Sequence, residues 1–108
     1  QVAALEPDFD AVARLDASGL IATAPGRKVD FVSRFFAPAL GIPEDPVTGS
    51  AHCTLVPYWS RKLGRKKLSA RQVSRRGGEL FCEDRGDRVT IAGQAVMYLR
   101  GEIEVPRS

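Results

Sequence analysis

The residues best suited to chemistry lie together at 44–53, where an acid, a proline and a Thr-Gly-Ser turn precede an apolar run. Gly49 lets a ligand approach the main chain closely. If a helix begins at this turn, the N–H groups of Gly49, Ser50 and Ala51 lack partners within the helix and lie at the positive end of its dipole. A helix terminus of this kind binds a carboxylate or a phosphate.

Asp45 is the unusual member of this stretch, because an acid beside an anion site is repulsive unless it is protonated, hydrogen-bonded or used in proton transfer. The pattern therefore indicates an anion site with an acid–base residue. The structural alternative is that Asp-Pro simply opens a turn and that Thr48 or Ser50 caps the helix. His52 is better explained by packing or capping than by catalysis. Ser50 is a weak candidate nucleophile, because no other base lies near it in sequence.

A mostly apolar helix over residues 50–63 is predicted to position this turn. Apolar side chains cover most of its circumference, which is typical of a helix buried on most sides. Pro57 conflicts with a helix interior, where proline costs about 3 kcal/mol, so we expect a kink. Gly64 is expected to end the helix, after Arg61 and Lys62 in its last turn.

Strands joined by short turns are predicted around this helix, which gives an antiparallel α+β domain. The predicted elements, in chain order, are the end of an earlier strand at 2–5, a helix at 7–15, strands at 19–24 and 29–37, a loop at 38–43, the helix at 50–63, strands at 67–75, 79–83 and 88–100, and an edge strand at 101–105. Gly93 interrupts the strand at 88–100, which indicates a bulge or a close approach to the central helix.

The composition limits the function classes. The chain has 108 residues, enough for one domain at most, and a net charge of +3 with acids and bases mixed along it. That charge is too weak and too dispersed to predict a nucleic-acid partner. The most basic run, at 61–67, is best explained as a solvated helix end. No stretch is long and apolar enough to predict a membrane span, and no signal-peptide pattern opens the chain.

Two cysteines, Cys53 and Cys82, and one histidine, His52, do not match any familiar zinc-ligand spacing, so no metal site is predicted. A reduced, cytoplasmic setting is the simplest interpretation of so few cysteines. A disulfide between Cys53 and Cys82 stays an open alternative.

Residues 34–53, RFFAPALGIPEDPVTGSAHC, resemble the C-terminal half of the phenazine-biosynthesis (PhzF-like) protein family. The match is contiguous and ungapped, and IATAPG at 21–26 and Trp59 also fit. The resemblance covers nearly the whole chain. This family shares its fold with diaminopimelate epimerase, so the resemblance implies a barrel-like sheet wrapped around a central helix. It also implies that residues 1–108 are the second domain of a two-domain protein.

The resemblance further implies a cofactor-independent isomerase or epimerase that moves a proton on a small carboxylate substrate, in a cleft between the two domains. A glutamate of the first domain is the implied principal acid–base, and Asp45 matches the assisting aspartate. Gly49, Ser50 and Ala51 would bind the anionic group of the substrate. Relatives similar to diaminopimelate epimerase use a cysteine pair. No cysteine occupies this turn, since Cys53 lies one turn into the helix.

Because the principal acid–base would lie outside residues 1–108, we expect this domain to be inactive alone. The expected partners are the substrate carboxylate and the N-terminal domain of the same protein, with a homodimer as an open alternative. The competing hypothesis is a non-catalytic small-anion-binding or scaffold protein of the same fold. A glutamate in the matching motif of the first domain would favour the enzyme.

Overall fold

The structure is a computed structural model and describes residues 1–107 of the chain. Two α-helices and six strands make up the domain: α1 (Phe9–Ala13), α2 (Gly49–Leu63), β1 (Leu20–Pro25), β2 (Phe31–Ala37), β3 (Ile42–Asp45), β4 (Lys67–Gln72), β5 (Gly78–Asp84) and β6 (Val89–Ala92). Short 3-10 helices lie at Val2–Ala4 and Pro38–Leu40.

The strands form a single sheet in the order β1-β2-β4-β5-β6, and β3 pairs with β2 beside this path. The predicted α+β class is therefore confirmed. One pairing differs from the antiparallel expectation, because β4 runs parallel to β2. The chain leaves β2, forms β3, crosses over through α2 and returns in the same direction, and parallel neighbours require a crossover of this kind.

Helix α2 lies against the sheet and forms the core with it. It begins after Thr48, whose backbone is extended, and ends at Gly64, whose φ of 67° is in the left-handed region that favours glycine. Its buried residues are Ala51, His52, Leu55, Val56, Trp59 and Ser60. They pack against Phe31, Leu68, Ala70, Leu80 and Cys82 of the sheet. The helix continues through Pro57 without a break.

Trp59 joins this helix to the sheet by stacking and by a hydrogen bond. Its indole lies parallel to the ring of Phe31, with centroids 5.7 Å apart. Its Nε1–H donates to Oγ1 of Thr23 on β1 at 3.0 Å. The indole is only 3% exposed, so this bond satisfies a buried donor.

Several predicted elements are wrong in their limits or their type. Residues 2–4 form a 3-10 helix and not a strand end, and the predicted loop at 38–43 contains a 3-10 helix and the start of β3. Helix α1 is shorter than predicted because Asp8 caps it, accepting from the N–H of Ala11. The strand predicted at 88–100 ends at Ala92, and residues 101–105 are not a strand of this sheet.

Candidate anion-binding and acid–base site

Strands β3 and β4 approach each other along one edge of β2. Asp45, the last residue of β3, pairs with Phe35 in antiparallel register. Gln72, the last residue of β4, pairs with Ser33 in parallel register. Because the two strands run in opposite directions, their carboxyl ends meet over neighbouring positions of β2. The first turn of α2 follows β3 directly, so Asp45, Gln72 and the helix start share one place in the fold.

Gln72 connects these elements through its side-chain amide, which is completely buried. Its Nε2 group donates to the carbonyl of Asp45 at 2.9 Å and to Oγ1 of Thr48 at 3.0 Å. Its Oε1 accepts from the N–H of Thr48 at 2.7 Å. The donors and acceptors match in only one orientation of the amide. Gln72 therefore fixes the turn that precedes α2.

Thr48 is the residue before α2, but its side chain makes no capping bond to the helix. Its hydroxyl instead donates to Oδ2 of Asp45 at 2.5 Å. Ser50 lies inside the first turn, so neither residue acts as the side-chain cap that the structural interpretation requires. The Thr48 hydroxyl holds the half-buried carboxylate of Asp45 beside the helix start. Asp45 thus has one carboxylate oxygen fixed by a neighbour.

The first amides of α2 are open. Among residues 1–107, no backbone or side-chain acceptor is hydrogen-bonded to the N–H of Gly49, Ser50 or Ala51. Gly49 and Ser50 are exposed, whereas Ala51 is buried. A Cβ placed on Gly49 would meet nothing within 4 Å, so the main chain is accessible at that position. The positive end of the helix dipole is therefore free to meet an anion.

His52 lies in the same turn but faces the core. It is fully buried, and its ring lies 5.9 Å from that of Phe31 between centroids. Its Nδ1–H donates to the carbonyl of Thr48 at 2.7 Å, so the proton of the neutral ring is on Nδ1. Nε2 has no hydrogen-bond partner within the described residues. Burial lowers the pKa of His52 below its ordinary value, although the bond to Thr48 opposes this. His52 is a neutral packing residue, in agreement with the sequence interpretation.

Arg34 holds β3 in place and neutralises the acid next to Asp45. Its guanidinium donates to both carboxylate oxygens of Glu44, each at 2.8 Å. It also donates to the carbonyls of Leu5 and Val2 near the N-terminus of the chain. The bond to Glu44 raises the pKa of Arg34 above its already high ordinary value. Among residues 1–107, Asp45 forms no salt bridge, so its charge is balanced only by hydrogen bonding.

Two open clefts flank the turn. One, of about 390 Å³, is bordered by Pro46 and Ser74, whose hydroxyl donates to the carbonyl of Pro46 at 2.7 Å. The other, of about 580 Å³, is bordered by Val47 and Gly78. Arg76 lines both clefts. Each cleft has both signs of charge in its lining, with Glu44 in the first and Glu79 in the second.

The cysteines do not contribute to this site. Cys53 and Cys82 are free thiols, which settles the disulfide alternative. Burial, followed by repulsion from Cys53, raises the pKa of Cys82 to about 11, so its thiol stays protonated near neutral pH.

Within residues 1–107, no three His, Cys, Asp or Glu side chains are grouped to hold a metal ion. No helix in the same range has the length and apolar character needed to cross a membrane.

Sequence reasoning missed Gln72 and Arg34. The signal for Gln72 was available, because Leu68, Ala70 and Gln72 alternate along one face of β4 and all three are buried. A glutamine that continues an apolar face needs buried hydrogen-bond partners. The importance of Arg34 could not be predicted in this way, since its hydrogen-bond partners, Glu44 and the carbonyls of Val2 and Leu5, come from two separate segments of the chain.

A family model described as phenazine biosynthesis-like protein matches residues 1–101 of the chain. The chain belongs to this family. An uncharacterized isomerase of Pseudomonas aeruginosa is 58% identical to this chain. The match covers 96% of this chain and 40% of the Pseudomonas protein. Phenazine biosynthesis-like domain-containing protein 2 of Mus musculus is 52% identical, over 79% of this chain and 32% of the mouse protein.

Solved structures give the same family and the fold. The crystal structure of a PhzF-family protein from Enterococcus faecalis superposes with a TM-score of 0.87 at 52% identity, over 96% of this chain and 40% of that one. A putative phenazine biosynthesis PhzC/PhzF protein from Clostridium difficile gives a TM-score of 0.84 at 47% identity, with the same coverage. These proteins have the diaminopimelate epimerase-like fold. The phenazine biosynthesis-like chain spans about 40% of the length of these relatives.

We expect Gln72→Leu to unfold the domain at markedly lower denaturant concentration. The substitution removes the partner of the buried N–H of Thr48 and of the partly buried carbonyl of Asp45. An unpaired buried group costs about 1–3 kcal/mol. The free energy of unfolding should fall by about 2–5 kcal/mol, measured by urea titration. Arg71→Leu on the exposed face of the same strand is the matched control. It removes only the exposed bridge to Glu79 and should cost under about 1 kcal/mol. Equal losses would contradict the role assigned to Gln72.

We also expect His52 to make the domain less stable as the pH falls. Because its folded-state pKa lies below the ordinary value of 6.5, the unfolded chain binds the proton more readily. The contribution of His52 to the free energy of unfolding is complete above about pH 6.5. Below that pH it is lost, by at most about 1.4 kcal/mol per pH unit. His52→Asn keeps a donor near Nδ1 but does not titrate. Urea titrations from pH 7.5 to 5 should give a steeper fall for the wild type than for His52→Asn, and parallel curves would contradict the assignment.

Proposed function

We propose that residues 1–108 form the second domain of a two-domain isomerase that moves a proton on a small carboxylate substrate. The observation that carries this proposal is the set of open N–H groups at Gly49, Ser50 and Ala51, next to the carboxylate of Asp45. The Pseudomonas relative supports the reaction class, because its name describes an isomerase. The two-domain organisation is supported by the greater length of the relatives.

The open amides have a chemical role in such a reaction. When a proton leaves the carbon next to a carboxylate, negative charge develops on the carboxylate oxygens. Preorganised N–H donors and the helix dipole stabilise that charge without reorganising. The side chain of Arg76, which borders both neighbouring clefts, lies on the path by which a substrate would reach these amides. The helix start therefore binds the substrate and stabilises the charge that forms on it.

Asp45 is suited to assist the proton transfer. Its Oδ2 accepts from Thr48, which orients the carboxylate, and its Oδ1 has no hydrogen-bond partner within the described residues. A general acid or base must lie within hydrogen-bonding reach of the proton it moves. Asp45 lies at the same turn as the amides that would hold the substrate carboxylate. The principal acid–base residue is assigned to the first domain, on the opposite side of the substrate.

We expect Asp45→Asn in the complete protein to lower kcat by about 10- to 100-fold, with little change in KM, since the substitution removes proton transfer but keeps a partner for Thr48. Turnover is measured by NMR in D₂O as deuterium incorporation into a dihydro-hydroxyanthranilate. Asp84→Asn, at the end of β5 that lies away from this turn, is the matched control and should leave kcat unchanged. Isolated residues 1–108 should show no turnover.

Two outcomes would count against this proposal. Full activity of Asp45→Asn, or turnover by isolated residues 1–108 that depends on Asp45, would contradict the assigned roles. A complete protein that binds the carboxylate at the α2 terminus but never exchanges its proton would instead be a small-anion-binding protein of the same fold.

A further inference from the structure

The turn at 73–77, between β4 and β5, is anchored to the segment that leads into α2. Oγ of Ser74 donates to the carbonyl of Pro46 at 2.7 Å and accepts from an N–H of its own turn at 2.9 Å. At the start of β5, a Cβ on Gly78 would clash with the side chain of Val47. These close contacts hold the turn in one position beside the start of α2.

The turn carries two adjacent arginines, Arg75 and Arg76, and both are exposed. Arg75 lines only the cleft that Pro46 borders. Arg76 lines this cleft and also the one that Val47 borders. Since Pro46 and Val47 are consecutive residues that precede α2, Arg76 lies beside the approach to the helix start from both clefts.

The acids of the two clefts do not neutralise these arginines, because each acid is already paired. Arg34 binds both carboxylate oxygens of Glu44. Arg71 faces Glu79 across β4 and β5 and forms an exposed salt bridge with it at 3.3 Å. Each cleft therefore contains an acid whose charge is balanced by an arginine outside the turn.

Arg75 and Arg76 leave an unbalanced positive charge beside the start of α2. Among residues 1–107, neither arginine forms a salt bridge. Asp45, the remaining acid near the helix start, accepts from Thr48 and has no arginine partner in the same range. The turn therefore presents two guanidinium groups for which the described residues supply no counterion.

A guanidinium is suited to a carboxylate, because its N–H groups form a rigid fork that matches the two carboxylate oxygens. The open amides of α2 are suited to a carboxylate for a different reason, since they lie at the positive end of the helix dipole. Two separate groups of donors thus lie along the same clefts. The anchored turn lowers the entropy cost of binding, because its backbone is already ordered.

We propose that Arg76 binds a second carboxylate of the substrate, so that the substrate is a small dicarboxylate. This inference rests on the proposed function, in which the first carboxylate binds to the amides of Gly49, Ser50 and Ala51. The role falls to Arg76 and not to Arg75, because Arg76 alone of the two borders both clefts. Arg76 binds and orients the substrate and takes no part in moving the proton.

An NMR titration of the ¹⁵N-labelled complete protein tests for the second carboxylate. Isophthalate and terephthalate hold two carboxylates at two different spacings, and the monoamide of each has the same shape with one negative charge less. We expect at least one dicarboxylate to bind about tenfold or more tightly than its monoamide, as one charge-assisted pair would give. The side-chain Nε–H of Arg76 should shift with that dicarboxylate and not with its monoamide. Equal affinities within both pairs would overturn the proposal.

Two variants with the same loss of charge test the assignment to Arg76. Arg76→Gln should remove the preference for the dicarboxylate and leave the affinity for the monoamide unchanged. Arg75→Gln is the matched control and should keep most of that preference. Equal losses in the two variants would indicate a general effect of charge and would overturn the assignment. The backbone amides of β4 and β5 report whether both variants stay folded.

The same titration separates this inference from the proposed function. Saturable shifts at Gly49, Ser50 and Ala51 with every ligand, but with no preference for a dicarboxylate, would overturn only the role of Arg76. If no ligand shifts these three amides, the anion site itself is contradicted, and this inference with it.

Discussion

The arrangement at this site depends on one buried side-chain amide, that of Gln72. Two strands that run toward each other along β2 would otherwise end with unpaired backbone groups at the place where α2 begins. Gln72 satisfies a carbonyl, an N–H and a hydroxyl there with a single side chain. Because Gln72 donates to the hydroxyl oxygen of Thr48, that hydroxyl donates to Asp45 and does not cap the helix. The helix amides are thus left open by the same contacts that orient the acid.

The same arrangement shows how an acid can lie beside the proposed anion site. Two carboxylates follow one another in β3, but Arg34 neutralises Glu44 through a paired hydrogen bond. The carboxylate of Asp45 lies next to the hydroxyl of Thr48 and to the positive end of a helix dipole. An anionic substrate would therefore meet one carboxylate and several donors. In the proposed function, these donors bind the substrate while Asp45 stays within reach of the proton that moves, as general acid–base catalysis requires.

Helix α2 and the turn before it could be predicted from the sequence, because their signals are local. The apolar pattern and Gly64 predict α2, and the Asp-Pro and Thr-Gly-Ser turn predicts where it begins. The roles of Gln72 and Arg34 could not be predicted, because their partners are distant in sequence and meet only when β3 and β4 converge. The parallel pairing of β2 with β4 depends on the crossover through α2, which also joins segments that are distant in sequence. The predicted strand at 88–100 is too long, because the structure pairs this stretch with β5 only as far as Ala92.

The most direct measurement of the central claim is an NMR titration of the ¹⁵N-labelled complete protein with benzoate, followed at four neighbouring amides. The N–H groups of Gly49, Ser50 and Ala51 are open, whereas that of Thr48 is bound to Gln72. We predict saturable shifts at the first three amides and a much smaller shift at Thr48. No saturable shift at Gly49 to Ala51, or an equal shift at Thr48, would contradict the claim that these amides form an anion site.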